Sequence, residues 1–465
     1  MRLGVKHANQ MQVVRDNFSG GLNTSANIDG IGENQFSSAV NVEIDHASGK
    51  LKTVAGTTDV WLSAKKIYAA MYDEINGRIL IVDEGKKVYV TDSNGNQIGG
   101  VLGVLSGDLY PISASWEDGL LIASGGRLQY YNGSGMVTLN SPTATGVCVQ
   151  AGRVLVTDAN NLHLSGIGDE TNWNEDANID SSAKFLEIGY KDGGEIVGMV
   201  NFPGGVLLVK NNRRAYRLNI GFPSWSLVEI SSNVELRGRL SICAMADSVF
   251  VLGRNEVQNI QSGNVYGNVK PQNIALLIES EIKKVSANSL VRYVPKLNQV
   301  WVLNGESVLM YDLVTQSWYK RQFNSAVIDV LSIGDEVLII KSDRVSKLDE
   351  KVFSDSGEEL SWSFKCKRSI SHYEYLLKNT LVSFVPLDME LTGGKVSVGK
   401  VVVNLSLNES GSSTRRRLIY DEEQSRPTVL AQNHNVYRNK YLDVEGRGSS
   451  GGIIFNSIIM DVVEV

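Results

Sequence analysis

Apolar and polar residues alternate in short runs along most of the chain, and the pattern is clearest over residues 299–323. Two apolar runs, 300–302 and 308–310, lie on either side of Asn304-Gly305. Period-two alternation interrupted by an Asn-Gly pair predicts a β-hairpin with a tight turn. A third apolar run containing aromatic residues follows at the end of this stretch. Three short strands in so small a segment indicate most of one blade of a β-propeller.

The same unit recurs at a regular interval along the chain. The first apolar strand of each repeat lies at Ile67, Ile112, Val147, Val197, Ile242, Leu290 and Val327. These positions are on average about 43 residues apart, which is the length of a four-stranded propeller blade. A turn and a second, fully apolar strand follow the first strand, as expected of sheets that are packed on both faces. The pattern therefore predicts a β-propeller of about six or seven blades over residues 51–353.

The regions outside the repeat have different patterns. Residues 1–50 are rich in Asn, Ser and Gly and show little strand alternation, which predicts an N-terminal arm or assembly segment. Residues 354–465 carry strand-like runs separated by Gly and Ser clusters and predict a C-terminal β-sandwich. Within the repeat, residues 273–285 place apolar side chains three and four positions apart, which predicts one short inserted helix with Asn273 as its N-cap. The predicted fold class is all-β.

Composition and charge narrow the function classes. Forty-five glycines fit a fold with many tight turns. A net charge of −6 argues against a surface that grips duplex DNA, although it is compatible with a protein past which DNA slides. The three cysteines are scattered, which is typical of small core residues and not of a disulfide framework or a zinc site. We expect no signal peptide and no membrane-spanning segment, and synthesis in a reducing cytoplasm.

Two acidic stretches were considered as ligand or catalytic sites. Residues 92–96 begin like a calcium-binding loop, but the sixth position is not Gly and the twelfth is not Glu, so a hairpin turn explains them better. Asp169, Glu170, Glu175 and Asp176 form an acidic loop for which a solvated surface is the favoured interpretation. The five histidines show no spacing typical of metal ligands, and His163 is expected to be half-buried in a strand.

Clusters of basic residues are few. Arg415, Arg416 and Arg417 form a run for which a solvated loop or a contact with a neighbouring subunit is the favoured interpretation, and contact with DNA phosphate is the alternative. Arg237 and Arg239 form a shorter, turn-associated pair that indicates no specific partner. The basic residues alone therefore identify no binding site.

The sequence contains no phosphate-binding loop, dinucleotide fingerprint or strained nucleophile turn. We therefore predict no catalytic, cofactor-binding or metal-binding residues, and a non-enzymatic role. The alternative comes from another class: a propeller-type glycan-binding protein or polysaccharide-degrading enzyme. Enzymes of that kind need clustered carboxylates, and the sequence offers only residues 169–176.

A short motif near the N-terminus leads directly into the propeller pattern. It reads Phe18-x-Gly20-Gly21-Leu22, followed by Gln35, Asn41 and Gly49-x-Leu51. A second stretch, residues 273–312, has a helix pattern ending in IESEIKK and a strand pair ending in VLMYD. With the β region that follows the propeller, these features resemble the tail hub or tail nozzle proteins of short-tailed bacteriophages (podoviruses). The resemblance is to the type that includes tail tubular protein B and the packaged-DNA stabilisation proteins.

The resemblance implies a structural virion protein, made in the host cytoplasm and built into the phage tail. Six copies would form a homohexameric ring below the portal-adaptor (head-to-tail connector) protein. The ring would extend the channel for non-specific double-stranded DNA, help to retain the packaged genome, and take part in DNA ejection. It would also dock a tail fibre, spike, needle or plug. On this interpretation, the assembly contacts are Phe18, Gly20, Gly21, Leu22, Gln35 and Asn41.

Overall fold

The computed structural model describes residues 10–176, 178–220, 225–261, 271–386, 401–409, 412–420, 428–433, 438–449 and 452–464. The chain forms two compact units. We call Asp59–Gly305 with Ser325–Lys347 the propeller unit, and Met1–Thr58 with Glu306–Asn324 and Leu348–Val465 the terminal unit. This division differs from the predicted boundaries at residues 50 and 353, because segments from both ends and from the middle of the chain belong to one unit.

The strands of the first part of the chain are β1 (Gln10–Arg15), β2 (Gly21–Leu22), β3 (Gln35–Val40), β4 (Val42–Asp45), β5 (Lys50–Thr53), β6 (Gly56–Leu62), β7 (Ile67–Asp73), β8 (Arg78–Asp83), β9 (Lys87–Thr91), β10 (Gln97–Val104), β11 (Ile112–Trp116), β12 (Gly119–Ala123), β13 (Arg127–Tyr131) and β14 (Met136–Thr143). The middle part contains β15 (Gly146–Gln150), β16 (Arg153–Asp158), β17 (Asn161–Leu164), β18 (Lys184–Glu187), β19 (Ile196–Phe202), β20 (Gly205–Lys210), β21 (Ala215–Asn219), β22 (Ser226–Ser231), β23 (Ile242–Ala244), β24 (Ser248–Leu252), β25 (Val257–Gln261), β26 (Pro271–Asn273), β27 (Leu290–Val294) and β28 (Gln299–Asn304). The last part contains β29 (Ser307–Asp312), β30 (Ser317–Gln322), β31 (Val327–Ile333), β32 (Glu336–Lys341), β33 (Arg344–Asp349), β34 (Ser354–Asp355), β35 (Glu358–Glu359), β36 (Ser361–Cys366), β37 (Ser369–Pro386), β38 (Val401–Glu409), β39 (Ser412–Tyr420), β40 (Thr428–Asn433), β41 (Arg438–Ser449) and β42 (Ile453–Glu464).

The propeller unit has seven blade positions in the part of the chain that the structure describes. Five are complete four-stranded antiparallel blades: β7–β10, β11–β14, β15–β18, β19–β22 and β23–β26. The pair β27–β28 stands at the sixth position, and the seventh sheet has the order β31–β32–β33–β6. First strands of successive blades touch from β11 to β31, and β31 touches β7. The repeat therefore closes into a β-propeller, and its seven blades agree with the predicted count.

An N-terminal strand closes the ring. Asp59 of β6 accepts hydrogen bonds from Arg344 Nη1 at 3.0 Å and Ser346 Oγ at 2.8 Å, both on β33. Trp61 on the same strand packs on the apolar cluster between the last and first blades. The seventh blade is thus completed by residues nearly 290 positions earlier in sequence.

Apolar residues of the middle strands form the cores between blades. Every residue of β12 and of β20 is buried, and the clusters join residues of adjacent blades, such as Leu80 with Leu120 and Leu155 with Leu208. The seven predicted anchor positions all lie in first strands, and the predicted second strands are confirmed. Burial on both faces explains why these strands read as continuous apolar runs.

The inserted helix is shorter than predicted. The structure has a 3-10 turn at Leu276–Ile278 and one α-helical turn at Glu279–Ile282, whereas residues 271–273 form β26. The predicted N-cap is wrong, because Asn273 ends β26 and Ala275 is the N-cap of the 3-10 turn. Asn273 Oδ1 does accept a hydrogen bond from the Ala275 backbone N–H at 3.0 Å. Ile278, Ile282 and Val285 are buried, whereas Leu276 and Leu277 are exposed, so only part of the predicted apolar face packs on the core.

The terminal unit contains strands from three separate segments. β36 pairs with β3 and β41, β37 pairs with β41 and β42, and β42 also pairs with β1 and β5. The region predicted as a β-sandwich is therefore made of β-strands, and residues 10–53 belong to the same hydrogen-bonded sheet system and are not a separate arm.

Candidate functional site

The predicted assembly motif lies in the core of the terminal unit. The ring of Phe18 stacks on Phe36 with centroids 5.7 Å apart, and both contact Phe364. Leu22 on β2 is also buried, and β2 pairs in parallel with the start of β3. Phe18 and Leu22 therefore anchor the N-terminal segment to the C-terminal part of the same unit.

The two glycines of the motif permit close backbone approach. Gly21 has φ +63°, and a Cβ there would lie 2.7 Å from Ser317 Cβ and 2.8 Å from the Trp318 carbonyl oxygen. A Cβ on Gly20 would lie 2.7 Å from Asn34 Oδ1. Both the left-handed conformation and the tight contact require glycine at position 21.

Gln35 and Asn41 make specific polar contacts. Gln35 Oε1 accepts hydrogen bonds from Asn23 Nδ2 at 2.8 Å and from the Gly32 N–H at 2.7 Å, which fixes the preceding loop. Asn41 is only 2% exposed and adopts φ +56°. Its Nδ2 donates to the Ser361 carbonyl at 2.7 Å, and its Oδ1 accepts from the Gln322 N–H at 2.8 Å.

Asn41 thus ties together the three segments of the terminal unit. Its backbone N–H also donates to the Lys320 carbonyl at 2.8 Å, and its own carbonyl accepts from the Val54 N–H at 3.1 Å. All six predicted residues belong to this unit. Their role in contacts between copies of the chain stays a prediction, because these contacts lie within one chain.

The arginine run lies on a strand and not in a loop. Arg415, Arg416 and Arg417 belong to β39, and their partners on β38 are Ser406, Leu405 and Asn404. The loop interpretation is therefore wrong, because a nine-residue antiparallel ladder accounts for this backbone. The side chains of the three arginines lie outside the described residues.

Three carboxylates of the acidic loop accept hydrogen bonds from nearby groups. Asp169 Oδ1 accepts hydrogen bonds from the Thr171 N–H and hydroxyl, and these bonds hold the pKa of Asp169 below its usual value. Glu170 Oε2 accepts from Trp116 Nε1 at 3.1 Å, and Asp176 Oδ1 accepts from the Asn178 N–H at 2.9 Å. These groups serve local turns.

Two other sequence interpretations are confirmed. Asp92 accepts hydrogen bonds from the backbone N–H groups of Asn94 and Asn96, and the segment forms the hairpin turn between β9 and β10. His163 is half-buried on β17, 5.1 Å from the ring of Phe185, and burial lowers its pKa.

A cavity of about 550 Å³ on the axis of the propeller was not predicted. Its walls come from the first strands of several blades, and include Ile112, Val147, Met199, Ile242 and Cys243. Every blade is built in the same order, so all first strands begin at the same end of the ring. Polar residues gather near that end of the cavity.

These polar residues form a network across the axis. Arg239 Nη1 donates to the Thr145 carbonyl at 2.9 Å, and its Nη2 donates to the Tyr110 carbonyl. The Tyr110 hydroxyl donates to Asp329 Oδ2 at 2.8 Å, and Arg292 binds both oxygens of Asp329 at 2.8 and 3.0 Å. Residues of five blades are thereby linked across one end of the axis.

The carboxylate of Asp329 is fully buried, yet well paired. Burial disfavours the charged form of Arg292, but Asp329 outweighs this and raises the pKa of Arg292. Burial, with the adjacent carboxylate, raises the pKa of Tyr110 well above its usual value, so the phenol stays a donor. Sequence analysis missed this network because its members stand singly, each more than thirty residues from the next.

No group of three or more potential metal-ligating side chains converges within the described parts of the chain. Among the helices that the structure describes, none is long and apolar enough to cross a membrane.

Comparison with known proteins gives structural similarity only. No protein-family model matches the chain, and no curated protein matches it. The chain is similar to BamB from Moraxella catarrhalis, with 11% identity and a TM-score of 0.40 over 66% of this chain and 92% of that one. It is similar to YCF48 from Cyanidioschyzon merolae, with 10% identity and a TM-score of 0.42 over 63% and 98%.

A third similar structure is the β-propeller domain of Cps50 (Swd1) from Myceliophteria thermophila. The identity is 8% and the TM-score 0.44, over 64% of this chain and 98% of that one. None of these likenesses is strong enough to carry an argument about function. The β-propeller fold rests on the strand pairing within the chain itself.

Proposed function

We propose that this chain is a structural protein of a short-tailed phage tail, a subunit of the nozzle or hub ring below the portal-adaptor protein. The observation that carries the proposal is the position of the motif that gave the resemblance. Phe18 and Leu22 are buried and Asn41 bonds three chain segments, so the motif organises the terminal unit. A sequence signature with this architectural role suits an assembly protein better than an enzyme with a surface active site.

Exposed apolar residues on the rim of the propeller unit support assembly into a ring. On the outer strand β10, Ile98, Val101 and Val104 are 38%, 49% and 52% exposed. On β22, the outer strand three blades further round, Leu227 and Val228 are also exposed. Both strands are sheet edges within the propeller unit, and unprotected apolar edges favour pairing with another chain.

Two different patches are what a cyclic homo-oligomer requires. In a ring with head-to-tail contacts, one surface of each subunit meets a different surface of the next. The rims of the first and fourth blades lie on different sides of the propeller and meet this condition. We propose that the ring is a homohexamer. Each subunit has a net charge of −6, and repulsion between like charges lets double-stranded DNA pass without adhering.

The proposal assigns no catalytic residues. Asp169, Glu170 and Asp176 hold turns and an indole N–H, so they are not poised as an acid–base pair for glycoside hydrolysis. In the assembled tail, this chain acts as conduit and seal for the genome. It docks against the portal-adaptor above and a fibre, spike, needle or plug below.

Negative-stain electron microscopy of the full chain, alone and mixed with the portal-adaptor protein, tests this function. Six-fold rings that form with the adaptor support the proposal. A protein that stays monomeric with the adaptor and shortens a capsular polysaccharide would contradict it and favour the glycan-directed alternative. A reducing-end sugar assay on the same preparation measures that activity.

A further inference from the structure

The axial cavity of the propeller unit has different groups at its two ends. Arg239, Tyr110 and Asp329 are joined by hydrogen bonds across the end at which the first strands begin. Glu74 and Asn201 are exposed and lie on the cavity wall near the ends of β7 and β19. We call the end that carries Arg239 the floor of the cavity and the end that carries Glu74 and Asn201 its mouth.

The floor carries a positive charge that no carboxylate neutralises in the described parts of the propeller unit. Arg292 is paired with Asp329, whereas Arg239 donates only to two backbone carbonyl oxygens. Carbonyl dipoles satisfy some of the N–H groups of a guanidinium but do not cancel its charge, and a desolvated cation favours an anionic partner. Burial lowers the pKa of Arg239, which is consistent with a poorly solvated position.

Apolar side chains form part of the cavity wall, together with Ser113 and Ser115. Ile112, Val147, Met199 and Ile242 line it between floor and mouth, together with the thiol of Cys243. A pocket of about 550 Å³ lies in the size range of small-molecule sites, which combine apolar walls with a few fixed polar groups. Glu74 is at the mouth, where it is exposed to solvent and accepts a hydrogen bond from Ser115 Oγ, so its repulsion of an anion at the floor is screened.

We propose that this cavity binds a small organic carboxylate with an apolar body, such as a medium-chain fatty acid. The carboxylate sits against Arg239 and the hydrocarbon part lies along the apolar part of the wall. This site goes beyond the nozzle role and holds whether or not the chain forms rings. It assigns to the propeller a ligand that stabilises the unit by mass action.

Isothermal titration calorimetry on the full chain with hexanoate, hexylamine and inorganic phosphate tests the site. We expect saturable binding of hexanoate and a higher unfolding temperature in its presence, with no binding of hexylamine. The variant Arg239→Gln should weaken hexanoate binding at least tenfold. The control Arg254→Gln removes an exposed arginine of the same unit and should leave binding unchanged.

A second measurement keeps the test independent of the folding of the Arg239 variant. Hexanoate should slow the reaction of the Cys243 thiol with methyl methanethiosulfonate in the unaltered chain, read by peptide mass spectrometry, because Cys243 lines the cavity. Equal binding of hexylamine and hexanoate would overturn the proposal. Binding of phosphate without hexanoate, or unchanged Cys243 reactivity at saturating hexanoate, would also overturn it.

Discussion

Replacement of Asn41 by alanine should weaken the terminal unit at the point where its three segments meet. The change removes the hydrogen bonds to the Ser361 carbonyl and from the Gln322 N–H, each worth about 1 kcal/mol. Alanine also tolerates the left-handed backbone at φ +56° less well than asparagine, at a cost of about 1 kcal/mol. We therefore expect the free energy of unfolding of this unit to fall by about 3 kcal/mol.

Asn298 provides a matched control for the backbone term. It also has a left-handed conformation, with φ +54°, but its side chain is exposed. Asn298→Ala should therefore cost only about 1 kcal/mol. Asn41→Gly removes the same two hydrogen bonds as Asn41→Ala without backbone strain, and should cost about 2 kcal/mol.

Native-state hydrogen exchange in increasing urea measures these differences locally, with amides of β3, β30 and β36 as reporters for Asn41 and amides of β27 and β28 as reporters for Asn298. A loss of about 3 kcal/mol lowers protection at these amides by about a hundredfold. Equal losses for Asn41→Ala and Asn298→Ala would show that the buried hydrogen bonds contribute nothing, and would refute the reasoning.

Three further predictions follow from the same structure. Gly21→Ala should lower the unfolding temperature measured by scanning calorimetry much more than Gly49→Ala. Both glycines have positive φ, but only Gly21 has neighbours within 4 Å of an added Cβ. Equal shifts in unfolding temperature would contradict the steric argument. Burial alone would raise the pKa of Asp192, but hydrogen bonds from Lys210, Gly194 and Tyr216 lower it to about 2. The stability from this carboxylate is therefore present above about pH 4 and lost as the pH falls towards 2, so urea unfolding of Asp192→Asn should show a smaller loss between pH 5 and 3 than the unaltered chain. Val101→Asp on β10 should abolish the rings that analytical ultracentrifugation detects with the adaptor present, and should leave the unfolding temperature unchanged. The control Val314→Asp changes another exposed apolar position and should leave the rings intact.

The sequence allowed the inner part of each blade to be predicted, because two-sided burial leaves a continuous apolar run such as residues 206–209 of β20. The outer strands were harder to find. β10 is exposed along most of its length, and β18 alternates between half-buried and exposed positions, so neither shows a strong apolar pattern. Solvent imposes little constraint on the outermost strand of a blade.

The terminal unit and the axial network lay beyond sequence reasoning for a different reason. β3 pairs with β36, more than 300 residues later, and no local pattern specifies a partner at that distance. The motif around Phe18 could be recognised, but not the contact of its ring with Phe364. Likewise, Arg239 reads as an ordinary turn residue until the ring closure brings Tyr110 opposite it.

The pairing of β6 with β33, which closes the ring of blades, has a consequence for synthesis on the ribosome. The partner strand β33 is synthesised nearly 290 residues after β6. At a rate of about 5–20 residues per second, the wait is roughly 15–60 seconds. Throughout that time the ring of blades stays open, and its unpaired strand edges are available to chaperones or to another copy of the chain. Correct folding of this protein therefore depends on a late step, in which its first blade comes into contact with its last.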